Sequence, residues 1–251
     1  MPLVARTLDG VDDQIAFGSD AACDDLAAFT AYALVRPTGS IADERQILTK
    51  MTSGYLGKMY LALGSPDKFF CYMNRDGGND CYGHSSDNVL VADDWNVLIC
   101  TWAGAGNAPV LYHCLLGGTP TDVTNVSQIG SGSFWSDASA TLRVGARDPL
   151  DASFYAGGVA DVALWNRVIN GTERGDLGAG NSPEFITSGL VFASRITGND
   201  SPEINTTGGT NGTVTGTTWL THPSVTYPGG QPYRRRLGGV PGMKQPFSGV
   251  W

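Results

Sequence analysis

Residues 153–166 read SFYAGGVADVALWN. From Gly157 onward, Val159, Asp161, Ala163 and Trp165 alternate with Ala160, Val162, Leu164 and Asn166. Side chains two apart share one face of a strand. One face is therefore apolar up to Asn166, and the other carries a single carboxylate, Asp161, between apolar neighbours. A strand apolar on both faces lies inside a protein, with a layer on each side. An acid in that setting needs hydrogen-bond donors or a cation.

The same reading extends outward. In FTAYALVR (29–36), Phe29, Ala31, Ala33 and Val35 share one face and Thr30, Tyr32, Leu34 and Arg36 the other. Both faces are partly apolar, which predicts a second central strand. Further strands are predicted at 14–17, 46–51, 57–63, 68–73, 97–102, 110–116, 141–145 and 189–193. Short β-branched and aromatic runs separated by Gly, Asp, Asn and Pro clusters are an all-β pattern. About ten strands in one series predict a sandwich of two antiparallel sheets. Helical turns are confined to 20–28 and to NGTERGDLG (170–178), where Asn170 and Glu173 have the spacing of a capping box. Residues 198–218 form a Gly/Thr/Asn-rich surface excursion with room for one short strand.

The chain has 251 residues, enough for one large sandwich. Glycine supplies 34 of them, nearly twice the usual ~7%, and with no triplet period this marks turns. Net charge is −8, from 16 Lys+Arg against 24 Asp+Glu. The charge is uneven. Residues 232–251 contain Arg234, Arg235, Arg236 and Lys244 and no acid, giving +4 and leaving −12 on the other 231 residues. An acidic body argues against coating nucleic acid, and no apolar run is long enough for a membrane span. The start, MPLVARTLDGVDD, has no apolar stretch of signal-peptide length, so export by a cleavable signal is not expected. From Pro223 onward Pro and Gly recur, which divides the chain into a body, 1–222, and an irregular basic arm, 223–251.

Five cysteines stand at 23, 71, 81, 100 and 114. An odd number without a signal peptide favours buried thiols. Cys100 and Cys114 sit on two strands joined by a turn, and a cross-hairpin disulfide is the alternative reading. The three histidines are scattered and no C-x-x-C occurs, so a zinc site is not expected. The acidic loop NRDGGND (74–80) lacks the spacing of a Ca²⁺ loop and reads as a hairpin tip.

Several pieces, in order, resemble the laminin G-like, concanavalin A-type jelly roll. They are LDGVDDQIAFG (8–18), FTAYALVRPTG (29–39), QILTKMTSGYLGKMYLAL (46–63), DDWNVLICTWAGAGNAPVLYHCLLGG (93–118) and LRVGARDPLDASFYAGGVADVALWNRVINGTE (142–173). The last carries the F-x-G-x-hydrophobic-D strand and a short helix with a Glu. In related jelly rolls the acid equivalent to Asp161 binds a structural Ca²⁺ with groups near the first strand. The resemblance thus pairs Asp161 with Asp12 of the Asp12/Asp13 turn. Donors from the protein itself are the other reading, and no further cofactor is expected.

Jelly rolls of this type include glycoside hydrolases, which need two carboxylates flanking the scissile bond. The chain has four glutamates, at 44, 173, 184 and 203, none paired with another acid in a strand. G-x-S-x-G is absent, and the glycines at 104 and 106 precede a strand rather than a phosphate-binding helix. A non-enzymatic protein is expected. Sugar binding would use exposed aromatics, with Tyr82, Trp102 and Trp135 as the candidates and Tyr72 and His84 beside them. The tail RRRLGGVPGMKQPFSGVW resembles C-terminal tails of short phage-encoded proteins that end in Gly-Val-Trp. It cannot bury its apolar residues on itself. Arg234, Arg235, Arg236, Phe247 and Trp251 are the candidate partner-binding residues. The leading expectation is a multi-copy phage virion structural protein, of capsid decoration, tail or fibre type, anchored through the arm to other virion proteins. It would assemble in the host cytoplasm and reside in the virion. A lectin-like module contacting glycans is the alternative.

Overall fold

The computed structural model describes residues 4–52, 56–148, 153–198 and 201–229. In chain order the strands are β1 (Val4–Asp9), β2 (Gln14–Ala16), β3 (Phe29–Pro37), β4 (Arg45–Thr52), β5 (Leu56–Gly64), β6 (Lys68–Met73), β7 (Arg75–Asp76), β8 (Cys81–Ser85) and β9 (Asn96–Trp102). They continue with β10 (Val110–Leu115), β11 (Thr121–Asp122), β12 (Thr124–Gln128), β13 (Ser133–Phe134), β14 (Leu142–Val144) and β15 (Ala156–Trp165). Helix α1 (Gly171–Gly178) follows, then β16 (Leu190–Ser194), β17 (Thr213–Thr215) and β18 (Thr218–Thr221). The Asn170 capping box forms as its spacing predicts, with Asn170 accepting from the Glu173 amide and Glu173 accepting from the Asn170 amide.

Two antiparallel sheets make the sandwich. The first runs β11-β10-β9-β3-β15-β1-β18, with β16 also paired to β15; the second runs β12-β8-β6-β5-β4-β14-β2-β17. The predicted pair of central strands lies side by side, β3 against β15. Phe29, Ala31, Ala33 and Val35 point into the inter-sheet core, and Tyr32 and Leu34 into a second apolar cluster on the outside of the first sheet. That outer cluster is covered by Ile169, Leu177, Ile186, Val225 and Tyr227. The central strands of the first sheet are therefore buried on both faces.

Strict alternation fails in β15. The register against β3 slips between Val159 and Asp161. Val159, Val162 and Leu164 face the inter-sheet core, whereas Ala160, Ala163 and Trp165 face the outer cluster. The extra residue of a β-bulge changes which residues share a face. Gly157, at φ 143°, allows the close approach to β3, because a Cβ there would lie 2.4 Å from the Arg36 carbonyl oxygen.

Asp161 is buried, and its protein-donor reading is met by a distant residue: the Tyr227 hydroxyl donates to Asp161 Oδ2 at 2.9 Å. Tyr227 also lies 3.2 Å from His222 Nε2, and the Arg195 guanidinium stacks over its ring. These contacts bind 222–229 to the body. The boundary expected at 222/223 thus falls inside packed structure, because Val225 and Tyr227 complete the apolar layer over β15. The rest of the arm, from 230, lies outside the described residues.

The cysteines Cys100 and Cys114 do not form the cross-hairpin disulfide; all five thiols are free and buried. Cys100 is opposite Leu111 and Cys114 is opposite Val97, a three-residue offset worth about 10 Å. They also face different clusters. No bridge spans that separation. Strand β1, not predicted, carries the charged Arg6 inward, where it meets Glu203 at 2.6 Å.

At one end of the sandwich the buried Lys50 ties loops to β4. Its Nζ donates to Asp24 Oδ1 at 2.7 Å and to the Asp137 carbonyl at 2.6 Å. Asp137 in turn accepts from the Asp25 amide. Removing one partner of such a buried ionic group costs about 3–5 kcal/mol. Lys50→Met should therefore lower the denaturation free energy by about that amount in urea unfolding, and a loss below about 1 kcal/mol would contradict the assignment.

Burial pushes the Asp161 carboxyl up to about 8, against which the Tyr227 hydrogen bond works. In the unfolded chain this group ionises near its ordinary value of about 3.9. The folded protein then loses stability progressively as pH rises from about 4 to about 8, and no further above that. An asparagine side chain at this position does not titrate. Urea unfolding of Asp161→Asn and the unmodified chain across this range should show the difference moving in favour of the variant as pH rises; a constant difference would refute the assignment.

Candidate functional site

The outer face of the second sheet is where aromatic side chains gather. On β6, Phe69, Cys71 and Met73 point into the core, so Phe70 and Tyr72 point outward. On β8, Cys81 points inward, so Tyr82 and His84 point outward. The register sets Phe70 opposite His84 and Tyr72 opposite Tyr82. Tyr72 and Tyr82 stack with centroids 5.0 Å apart, His84 lies 4.9 Å from Tyr82, and Phe70 meets His84 at 5.4 Å. Directly opposed pairs on one face are the sheet's natural contact unit. The neighbouring β12 places Val126 opposite His84 and Gln128 opposite Tyr82.

Tyr72, Tyr82 and His84 are half-buried and reach the surface, whereas Phe70 is buried beneath them. Burial lowers the His84 pKa, with Lys68 adding to it, so the imidazole is neutral near pH 7. Its Nε2 is buried and has no hydrogen-bond partner among the described residues. Burial raises the Tyr72 pKa, with Tyr82, Asp80 and Glu44 adding to it, so the hydroxyl stays protonated. The strip thus joins aromatic surface to a neutral imidazole and a phenol, with carboxylates of Glu44 and Asp80 in electrostatic range. This chemistry suits a neutral ligand with one apolar face and a hydroxyl rim.

Of the predicted sugar-binding residues, Tyr82 belongs to this strip. Trp102 does not. It is buried in the inter-sheet core, its Nε1 donating to the Asn107 carbonyl at 3.0 Å and its ring meeting Phe134 edge-on at 4.9 Å. Its strand is enclosed on both faces, which leaves no surface for a ligand. Trp135 is half-buried on the loop after β13, and nothing places it beside Tyr82. Phe70 was not predicted. The available signal was the paired spacing F-x-Y in β6 and Y-x-H in β8; the missing information was that these two strands are neighbours.

Asp161 and Asp12 are not brought together. Strand β1 sets Asp9 opposite Ala156, so the turn holding Asp12 lies beyond that end of β15. Asp161 is five residues further along, about 16 Å away. Among the described residues, the group of three carboxylates close enough to share an ion is Asp9, Asp12 and Asp13, whose ligand atoms lie within 4.8 Å. Oxygen donors suit Ca²⁺, yet both oxygens of Asp13 already accept backbone amides, from Asp9 and Thr217. The expected Asp161–Asp12 ligand pair does not fit a shared cation. Asp80 of the 74–80 loop accepts from the Arg75 amide, and β7 pairs with β13. Arg234, Arg235, Arg236, Phe247 and Trp251 lie outside the described residues.

Each glutamate is held by an arginine: Glu203 by Arg6, Glu44 by Arg147, Glu173 by Arg167 and Glu184 by Arg195. A cation beside a carboxylate favours its ionised form. The Glu173 pKa is lowered chiefly by its hydrogen bond to Arg167. A general acid needs the opposite shift. The carboxyl with a raised value, Asp161, lies under the 222–229 segment on the other sheet, remote from the aromatic strip.

Comparison with known proteins bears on the fold. A carbohydrate-binding protein proposed as such from Bacteroides ovatus is similar over 89% of this chain, with a TM-score of 0.60 and 15% identity. This chain spans 61% of that protein's length. The heptameric SAP-like pentraxin of Limulus polyphemus is similar over 86% of this chain and 97% of its own, with a TM-score of 0.50 and 13% identity. No curated protein sequence matches the chain. Residues 9–173 match the laminin G-type family described as the concanavalin A-like lectin/glucanases superfamily, and the chain belongs to that family.

Proposed function

We propose that this protein is a non-catalytic recognition module that binds carbohydrate through the outer face of its second sheet. The observation that carries this reading is the strip Phe70–Tyr72–Tyr82–His84. A pyranose has an apolar C–H face, which an aromatic ring covers, and a rim of hydroxyls. Tyr72 and Tyr82, which reach the surface and stack with centroids 5.0 Å apart, supply that ring surface. Apolar lining with a few placed polar groups is the usual composition of such a site. The arginine-held glutamates support a binding rather than hydrolytic role.

A glycan array probed with the full chain should give a defined set of hits. Tyr82→Ala should weaken the best of them about tenfold or more, equivalent to about 1.4 kcal/mol, while the unfolding midpoint stays within the range of a surface change. An array without hits, or a Tyr82→Ala variant that binds unchanged, would defeat the reading.

A second feature favours display on a bacteriophage particle. The +4 arm follows a −12 body, and its Leu237, Val240, Met243, Phe247 and Trp251 need a partner surface to cover them. In this reading the arm anchors the jelly roll to other virion proteins as a capsid-decoration, tail or fibre component assembled in the host cytoplasm. Copies deleted for 232–251 should remain folded and soluble but fail to enter the particle. Normal incorporation of the truncated protein would remove the anchoring role.

A further inference from the structure

Lys50 is 1% exposed, and lysine is almost never fully buried unless it is paired. It points from β4 into a cavity lined also by Cys23, Leu26, Phe29, Met59 and Leu164. Its Nζ lies 2.7 Å from Asp24 Oδ1 and 3.8 Å from Asp137 Oδ1. A carboxylate oxygen is about 1.2 Å from its carbon, so Nζ stands within about 4 Å of Asp24 Cγ. Reacting atoms in a near-attack arrangement are about 3–3.5 Å apart.

The surrounding loops are fastened in place. Asp24 closes the single turn Ala21–Cys23, its amide donating to the Ala21 carbonyl. The next residue, Asp25, donates its amide to Asp137 Oδ1 at 2.7 Å and accepts from the Asp137 amide and the Ser136 hydroxyl. The loop of Asp24 and the loop of Asp137 are thus joined to each other beside Lys50. Arg6 and Glu203 form a buried pair of similar closeness, but a guanidinium stays protonated in proteins and is no nucleophile. A lysine amine can become one.

We infer that Lys50 and Asp24 are the reactants of an intramolecular isopeptide bond, formed by this chain without a partner, with Asp137 as the proton carrier. The step is a condensation. One proton passes from the Nζ ammonium to the Asp24 carboxylate. The Nζ lone pair then attacks Cγ, and the Asp137 carboxylate takes a second proton from nitrogen and hands it to the departing hydroxyl. The C–O bond breaks and one water leaves. The amide keeps one N–H, which the Asp137 carbonyl, 2.6 Å from Nζ, accepts. No oxidant, reductant or other co-reactant is consumed. Fixing the two groups in contact gives a very high effective concentration. Burying charge is costly, and the amide removes both charges. The Asp24 side chain is 20% exposed, which gives the water a way out. The ion pair described above is the unreacted form of the site.

Intact-mass spectrometry of the denatured full chain should give a mass one water below that of its residues. Trypsin should then release one branched peptide, in which 7–36 is joined to 46–58 because Lys50 is blocked. The branch separates this bond from dehydration at Asp9-Gly10, which leaves the two peptides apart. Lys50→Arg, which keeps the charge, should show neither the water loss nor the branch. Asp137→Asn keeps the backbone carbonyl and an acceptor for the Asp25 amide, so it should retain the circular dichroism of the unmodified protein. It should carry the branch in no more than about a tenth of its molecules, as loss of a proton carrier implies. An unmodified chain at full mass and cleaved after Lys50, a water loss without the branch, or a branch as complete in Asp137→Asn as in the unmodified chain would each overturn the inference.

Discussion

The hydrogen bond from Tyr227 to Asp161 joins a buried central strand of the first sheet to a segment that follows the last strand in sequence. Asp161 sits where charge is expensive, in a strand with apolar contacts on both sides. Its carboxyl is tolerated because it stays protonated near neutral pH and because a hydroxyl meets it. The segment that brings this hydroxyl also brings Val225 and the Tyr227 ring, which cover the outside of the first sheet. One polar contact therefore coincides with completion of an apolar layer.

Covering the central strands of the first sheet on both faces has a consequence for function. Their outward side chains are committed to Ile169, Leu177, Ile186 and the 222–229 segment. The outer face of the second sheet remains for contact with other molecules. The aromatic strip lies on that outer face.

What could be read along the chain follows the range of the interactions involved. Strand β3 and the Asn170 capping box were legible because alternation and a three-residue spacing are local properties. The bulge in β15 was not, since it depends on how β3 and β15 align. Strand β1 escaped notice because Arg6 looks unfit for an inward position until Glu203, 197 residues later, neutralises it. Tyr82 and Trp102 were candidates of the same aromatic type, but Tyr82 reaches the surface and Trp102 is enclosed. Exposure is a property of the layers around a strand, not of its residues.

The sequence by itself determined an all-β sandwich with two central strands, an acidic body and a basic arm, because hydrophobic period and charge accumulate over neighbouring residues. Tertiary structure alone decided that Asp161 meets Tyr227 rather than Asp12, that Cys100 and Cys114 face apart, and that Phe70, Tyr72, Tyr82 and His84 share one surface. Those outcomes depend on strand register and on contacts between residues far apart in the chain, and a one-residue change of register moves a side chain to the opposite face.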